Sequence, residues 1–165
     1  MRVDAQTVVS RLTEAGMTLA LAESCTGGYI AHLITNVPGA SRVFVGGVVA
    51  YDNRAKMALL GLSPDLLSTY GSVSPEAAIA MAERVRERLD ADIGVGITGI
   101  AGPGGGSEGK PVGTVYLALA GRDGRSVALR AHFLGSREEY KARTADLALR
   151  MIEEYLAETA AARDS

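Results

Sequence analysis

The alternating apolar run Met17 to Leu21 passes through Ala22-Glu23-Ser24-Cys25-Thr26-Gly27-Gly28 directly into Tyr29-Ile30-Ala31-His32-Leu33-Ile34, a stretch that reads as a helix. A chain with this pattern must place a buried strand against the start of a helix, with Ser24 on the turn between them. Gly27 and Gly28 let the backbone approach a ligand, and the free N–H groups of a starting helix favour negative charge there. A hydroxyl beside an anion site points to acyl transfer. The competing role for Ser24 or Thr26 is simply to cap the helix.

The same grammar continues along the chain. Apolar residues at 5, 8, 9 and 12 predict a first helix over Val3 to Ala15, stopped by Gly16. After the break Asn36-Val37-Pro38-Gly39, a β-branched run predicts a strand over Val43 to Tyr51, and Asp52-Asn53 caps a short helix that Gly61 ends. Ser63-Pro64 and Ser74-Pro75 open two more helices, to Tyr70 and about Leu89. Ile93 to Ile97 is a short buried strand followed by a glycine-rich loop from Gly99 to Pro111. Val112 to Ala120 and Ser126 to Leu134 form a hairpin, and the capping box Ser136-Arg137-Glu138-Glu139 opens a last helix to about Ala157. This order predicts one α/β domain over 1–158, three layers (α/β/α) around a mixed sheet of about five strands, with a disordered tail at 159–165.

At 165 residues the chain is long enough for a sizeable core, and a formal net charge of −2 gives no electrostatic footprint for nucleic acid or an anionic membrane. The single Cys25 excludes an internal disulfide, two scattered histidines make no metal-ligand cluster, and no run has the length or flanks of a signal peptide or a membrane span. The expectation is a cytoplasmic protein with no metal and no cofactor. Two glycine motifs mislead. Gly94-Val95-Gly96-Ile97-Thr98-Gly99 matches the dinucleotide pattern, but its first two glycines lie inside a strand and no helix follows. Gly104 to Lys110 fits the first seven places of a P-loop, yet Pro111 stands where that motif needs Ser or Thr.

Ligands of α/β sheets bind beyond the carboxyl ends of the strands, and Ser24, Tyr51 and Thr98 all lie there. Ser24 needs a base. His32 falls inside a helix and His132 inside a strand, and the Ser-x-x-Lys spacing fails because Gly27 is the third residue after Ser24. Lys56, early in a predicted helix and against its dipole, is the candidate; that field and any burial would favour its neutral amine. Tyr51 could relay a proton between the two, although a solvated lysine and a strand-end aromatic are the plainer readings. Cys25 is a rival nucleophile at a helix start, or a small packed side chain. Glu23 could act as an acid, orient Lys56 or form an ion pair. Thr98 could contact substrate or satisfy a strand end. Arg137 and Lys141, against the dipole of the last helix, could hold phosphate or face solvent.

Taken together, A-E-S-C-T-G-G at 22 to 28, G-G-V-V-A-Y-D-N-R-A-K at 46 to 56, G-x-V-S at 71 to 74, and T-G-I-A-G-P-G-G-G with K-P-V-G-T-V-Y at 98 to 116 resemble the CinA C-terminal domain family, the nicotinamide-nucleotide amidohydrolases. The resemblance implies hydrolysis of nicotinamide mononucleotide to nicotinate mononucleotide and ammonia, in pyridine-nucleotide salvage. It implies Ser24 as nucleophile, Lys56 with Tyr51 as base system, Thr98 as a polarising or substrate contact, and no metal. It also implies the stand-alone form, without the additional N-terminal domain of many members; the expected assembly is a homo-oligomer, which exposed apolar surface on the hairpin would fit. Glu23, Cys25, Thr26, Gly27, Gly28, Asn53, Thr98, Gly99, Gly102, Gly104, Gly105 and Arg137 are the expected contacts of a nucleotide substrate. Two positions depart from the family pattern, Ser136 in place of an acidic residue and Lys141 in place of arginine. The alternatives are a nucleotide-binding module acting through a partner in competence or damage responses, and an amidase for another small amide.

Overall fold

The computed structural model describes residues 3–164, so Met1 and Arg2 of the expected domain and Ser165 of the expected tail lie outside the described residues. Helices α1 (Ala5–Ala15), α2 (Tyr29–Thr35), α3 (Asn53–Leu60), α4 (Pro64–Tyr70), α5 (Pro75–Arg88) and α6 (Arg137–Asp164) surround strands β1 (Leu19–Glu23), β2 (Phe44–Val49), β3 (Ile93–Gly99), β4 (Thr114–Gly121) and β5 (Ser126–His132). The strands form one mixed sheet in the order β2-β1-β3-β4-β5. β1 is parallel to both neighbours, whereas β4 and β5 continue the sheet antiparallel. The predicted α/β class and the five-stranded mixed sheet are therefore what the chain forms.

Side-chain alternation gives the two faces different sizes. Leu19, Leu21, Ile93, Val95, Ile97, Val115, Leu117 and Leu119 face α1, α2 and α6 in the larger core. Ala20 and Ala22 turn to the other face, with α3, α4 and α5 above them, and Ala118 and Ala120 do the same further along. There α5 lies almost on the backbone of β3, because a Cβ at Gly94 would meet Ala82 O and one at Gly96 would meet Ala78 O. The two glycines of the false dinucleotide motif are thus a packing device.

The helix starts follow the local rules. Asp52 accepts from Arg54 N at 2.8 Å, Ser63 from Leu66 N at 3.0 Å and Ser74 from Ala77 N at 3.1 Å. The capping box closes as expected, with Glu139 N donating to Ser136 Oγ at 3.1 Å and Ser136 N to Glu139 Oε1 at 3.2 Å. At the other end the last helix runs past its predicted end at about Ala157, with α6 continuing to Asp164. No glycine or proline interrupts 158–164, and Arg125, at the tip of the β4–β5 hairpin, donates to Thr159 Oγ1 at 2.6 Å and stacks over the Tyr155 ring.

Since the Cβ of alanine at position 94 would fall on main-chain atoms of α5, Gly94→Ala should lower stability by about 1–3 kcal/mol or more. Urea unfolding checks this; an unchanged midpoint would mean that α5 has room to lift.

Candidate active site

The carboxyl ends of β1, β2 and β3 meet at one edge of the sheet, which fixes where their last residues point. Ser24 N donates to Ile97 O at 3.0 Å and Ala50 N to Glu23 O at 2.8 Å, so the chain just beyond each strand is still tied to its neighbour. From the first turn of α3, Lys56 reaches back into this corner and is only 2% exposed. Its Nζ lies 2.9 Å from Ser24 Oγ, 3.1 Å from Ala50 O and 3.2 Å from Tyr51 O. Burial pushes the Lys56 amine below its ordinary pKa, with charge on Cys25 and Asp52 opposing. The Cys25 thiol is itself pushed up to about 11 by burial, so it is uncharged at neutral pH and its opposition vanishes there. A neutral amine has two protons and one lone pair. The two carbonyls take the protons, and the lone pair then faces the Ser24 hydroxyl, as a general base requires.

Glu23 does not approach Lys56. Its carboxylate turns under α2, accepting from Thr26 Oγ1 at 2.6 Å, Ile30 N at 3.0 Å and Ala31 N at 3.0 Å. The Glu23 carboxylate, and neither the Ser24 nor the Thr26 hydroxyl, caps the start of α2, where Thr26 O accepts from Tyr29 N at 3.1 Å. Thr26 is fully buried beneath it. Gly27 and Gly28 adopt φ of 61° and 98°, in the left-handed region that favours glycine. Gly27 N donates to Ser24 O at 3.0 Å, so this amide is already used, whereas Cys25 N–H faces the thiol of its own residue. Cys25 packs in the larger core with its Sγ 3.4 Å from Tyr140 Oη. A neutral, enclosed thiol is a poor nucleophile.

Ser24, Cys25, Tyr51, Lys56, Ser72, Val73, Thr98, Gly99 and Ala101 line an inner pocket of about 140 Å³. Thr98, 1% exposed, donates its hydroxyl to Ser72 O at 2.7 Å and so pins the α4–α5 loop across the pocket. Beyond it an outer pocket of about 460 Å³ shares Tyr51, Ser72, Val73, Gly99 and Ala101, and adds Gly102, Gly104, Gly105, Lys110 and Arg137. Arg137 donates through Nη1 to Gly102 O and through Nη2 to Tyr51 Oη at 3.1 Å, whereas Lys110 donates to Tyr70 O at 3.0 Å. The ion pairs formed among the described residues involve other arginines, so neither cation is neutralised by a carboxylate.

Ser24, Cys25, Tyr51, Lys56, Thr98, Gly99, Gly102, Gly104, Gly105 and Arg137 of the expected residues line the two pockets, whereas Glu23, Thr26, Gly27 and Gly28 line neither. The Tyr51 phenol does not lie between Ser24 and Lys56; the amine touches the hydroxyl directly, and Tyr51 serves that pair through its main-chain carbonyl. Asn53, exposed at the start of α3, lines neither pocket. Lys141 sits near Gly27, where a Cβ would be 3.7 Å from its Nζ, and lines neither pocket. Sequence reasoning missed Ser72, Val73, Ala101 and Lys110. The proline-capped loop and the false P-loop signalled the positions of Ser72 and Lys110, but nothing local showed that they face Ser24.

Among the described residues no group of three or more His, Cys, Asp or Glu side chains could hold a metal ion, and no helix is long and apolar enough to cross a membrane. The fold and the buried Ser–Lys pair define an α/β protein with a small enclosed site beyond three parallel strands. The chain belongs to the CinA C-terminal domain family, whose profile matches residues 3–156. It is 54% identical over 136 residues to a putative competence-damage inducible protein of Moorella thermoacetica, covering 82% of this chain and 33% of that protein. Over 147 residues it is 49% identical to a CinA-like protein of Acidobacterium capsulatum, covering 89% of this chain and 35% of the relative. The chain thus spans about a third of the curated relatives it matches. Among solved structures, it resembles the competence/damage inducible protein CihA of Agrobacterium tumefaciens at 40% identity and a TM-score of 0.88, over 91% of this chain and 92% of that one. A CinA superfamily protein of Klebsiella pneumoniae, 32% identical, gives a TM-score of 0.90 over 93% and 96% of the two chains.

The depressed Lys56 pKa has a thermodynamic sign. Between the folded-state value and the ordinary value of 10.5 the unfolded chain binds more protons, so this group makes stability rise with pH across that window and costs its full amount below it. In Lys56→Met that slope should disappear, and the variant's stability relative to wild type should fall as pH rises. Parallel urea titrations from neutral to alkaline pH measure the difference; a constant difference would mean that Lys56 is not perturbed.

Proposed function

We propose that this protein is a serine amidohydrolase acting on the carboxamide of nicotinamide mononucleotide. The observation that carries the reading is the 2.9 Å contact between Lys56 Nζ and Ser24 Oγ in a buried corner. Binding alone gives no reason to bury a lysine against a serine hydroxyl.

In this mechanism Ser24 Oγ attacks the amide carbon while its proton passes to Lys56 Nζ. The developing oxyanion is met by the main-chain N–H groups of the turn that follows Ser24, those of Cys25 and Thr26. Collapse of the tetrahedral intermediate breaks the C–N bond, and Lys56 returns the proton to the departing ammonia. Water then attacks the acyl-enzyme with Lys56 again as base, releasing the carboxylic acid and restoring Ser24. The outer pocket suits the rest of a nucleotide, since Arg137 and Lys110 present two uncompensated cations beside a glycine-rich backbone. Val127, Leu129 and Leu134, exposed on and just after β5, support assembly into a homo-oligomer through that edge.

A second reading follows from the names of the relatives: a nucleotide-binding module acting through a partner in competence or damage responses. Assays of ammonia release separate the two. Ser24→Ala and Lys56→Ala should each lose turnover by about a thousandfold or more, while Cys25→Ala should stay near wild type. Tight binding of intact nucleotide without ammonia release in wild type would favour the binding module. Lys110→Gln and Arg137→Gln should raise KM for the nucleotide about tenfold, leaving KM for the dephosphorylated nucleoside unchanged.

A further inference from the structure

We propose that the Tyr51 side chain is the stacking platform for the flat ring of a heteroaromatic amide, joined through Arg137 to the subsite for the ligand's anionic group, and that its phenol moves no proton. The inference rests on the amidohydrolase reading and assigns Tyr51 a different duty within it. Tyr51 lines both pockets and is the only aromatic residue among those described at either. Its side chain is 58% exposed, unusual for so large a group beside an enclosed site, which leaves apolar ring surface open to a ligand. Val73 and Ala101, shared by the same two pockets, supply small apolar surface beside the entrance.

The hydroxyl is held on the outer side. Arg137 Nη2 donates to it at 3.1 Å while Nη1 of the same guanidinium holds Gly102 O. A ligand with its amide carbon at Ser24 must pass its ring across Tyr51, and an anionic group beyond the ring then meets Arg137. Ring and charge are thus read by two side chains bonded to each other. The direct Lys56–Ser24 contact leaves no gap for the phenol to bridge, and the part of Tyr51 that serves Lys56 is its carbonyl, which substitution leaves in place.

The test compares wild type, Tyr51→Phe and Tyr51→Ala in nicotinate mononucleotide binding by calorimetry and in nicotinamide mononucleotide turnover across pH. Both substitutions fall on a largely exposed side chain, so folding is not at risk. Tyr51→Phe should leave both limbs of the pH profile in place, and Tyr51→Ala should raise Kd and KM about tenfold. A Tyr51→Phe kcat lower by about a hundredfold, or a displaced limb of its pH profile, overturns the proposal by making the phenol a proton carrier. Equal binding by all three proteins overturns it as well. Binding without turnover in wild type would remove only the amidohydrolase reading, and the comparison of binding would still decide the role of Tyr51.

Discussion

The contact of α5 with β3 sets the dimensions of everything built above it. With hydrogen atoms in place of side chains at Gly94 and Gly96, the helix settles onto the strand, and the loop leading into it is drawn down over the strand's carboxyl end. Ser72 in that loop can then be reached by the Thr98 hydroxyl at 2.7 Å. A bulkier residue under α5 would raise the roof of the inner pocket as well as loosen the core. Packing on one face of the sheet and the volume available to a ligand are therefore one variable.

Within that frame, the main chemical decision is to bury an amine without an acid. A carboxylate beside Lys56 would hold it protonated; here its Nζ meets two carbonyls and a hydroxyl, which are satisfied whether the amine is charged or neutral. In the charged form, three N–H groups meet three oxygens, and the Ser24 hydroxyl turns to Tyr51 O at 3.3 Å. A proton can move between the two groups with a rotation of one hydroxyl and little displacement of heavy atoms, an inexpensive reorganisation.

Much of this was legible in the chain because it is encoded locally. Cap residues, prolines at helix starts, and alternating apolar runs are short-range signals, and they predict the order of elements and the place of Ser24 on its turn. What was not legible depends on which way a side chain turns when two rotamers suit the same backbone. Tyr51 lies just beyond β2 and could aim at Ser24 or at Arg137, 86 positions from it, and only the folded chain chooses. Lys110 looked like the remnant of a nucleotide motif because its partner, Tyr70 O, is 40 positions distant. The extension of α6 to Asp164 has the same origin, since Arg125 at the hairpin tip reaches Thr159 in its last turns.

Glu23 gives the site an unexpected electrical character. By filling the amide cup at the start of α2, the carboxylate cancels the positive pole that a strand-to-helix turn would otherwise present to a ligand. The inner pocket is therefore close to electrically quiet apart from one titrating amine, and fixed positive charge is confined to its entrance. A bound molecule with its anion outside and its neutral amide inside is oriented by that gradient alone, before any atom of the reacting pair touches it.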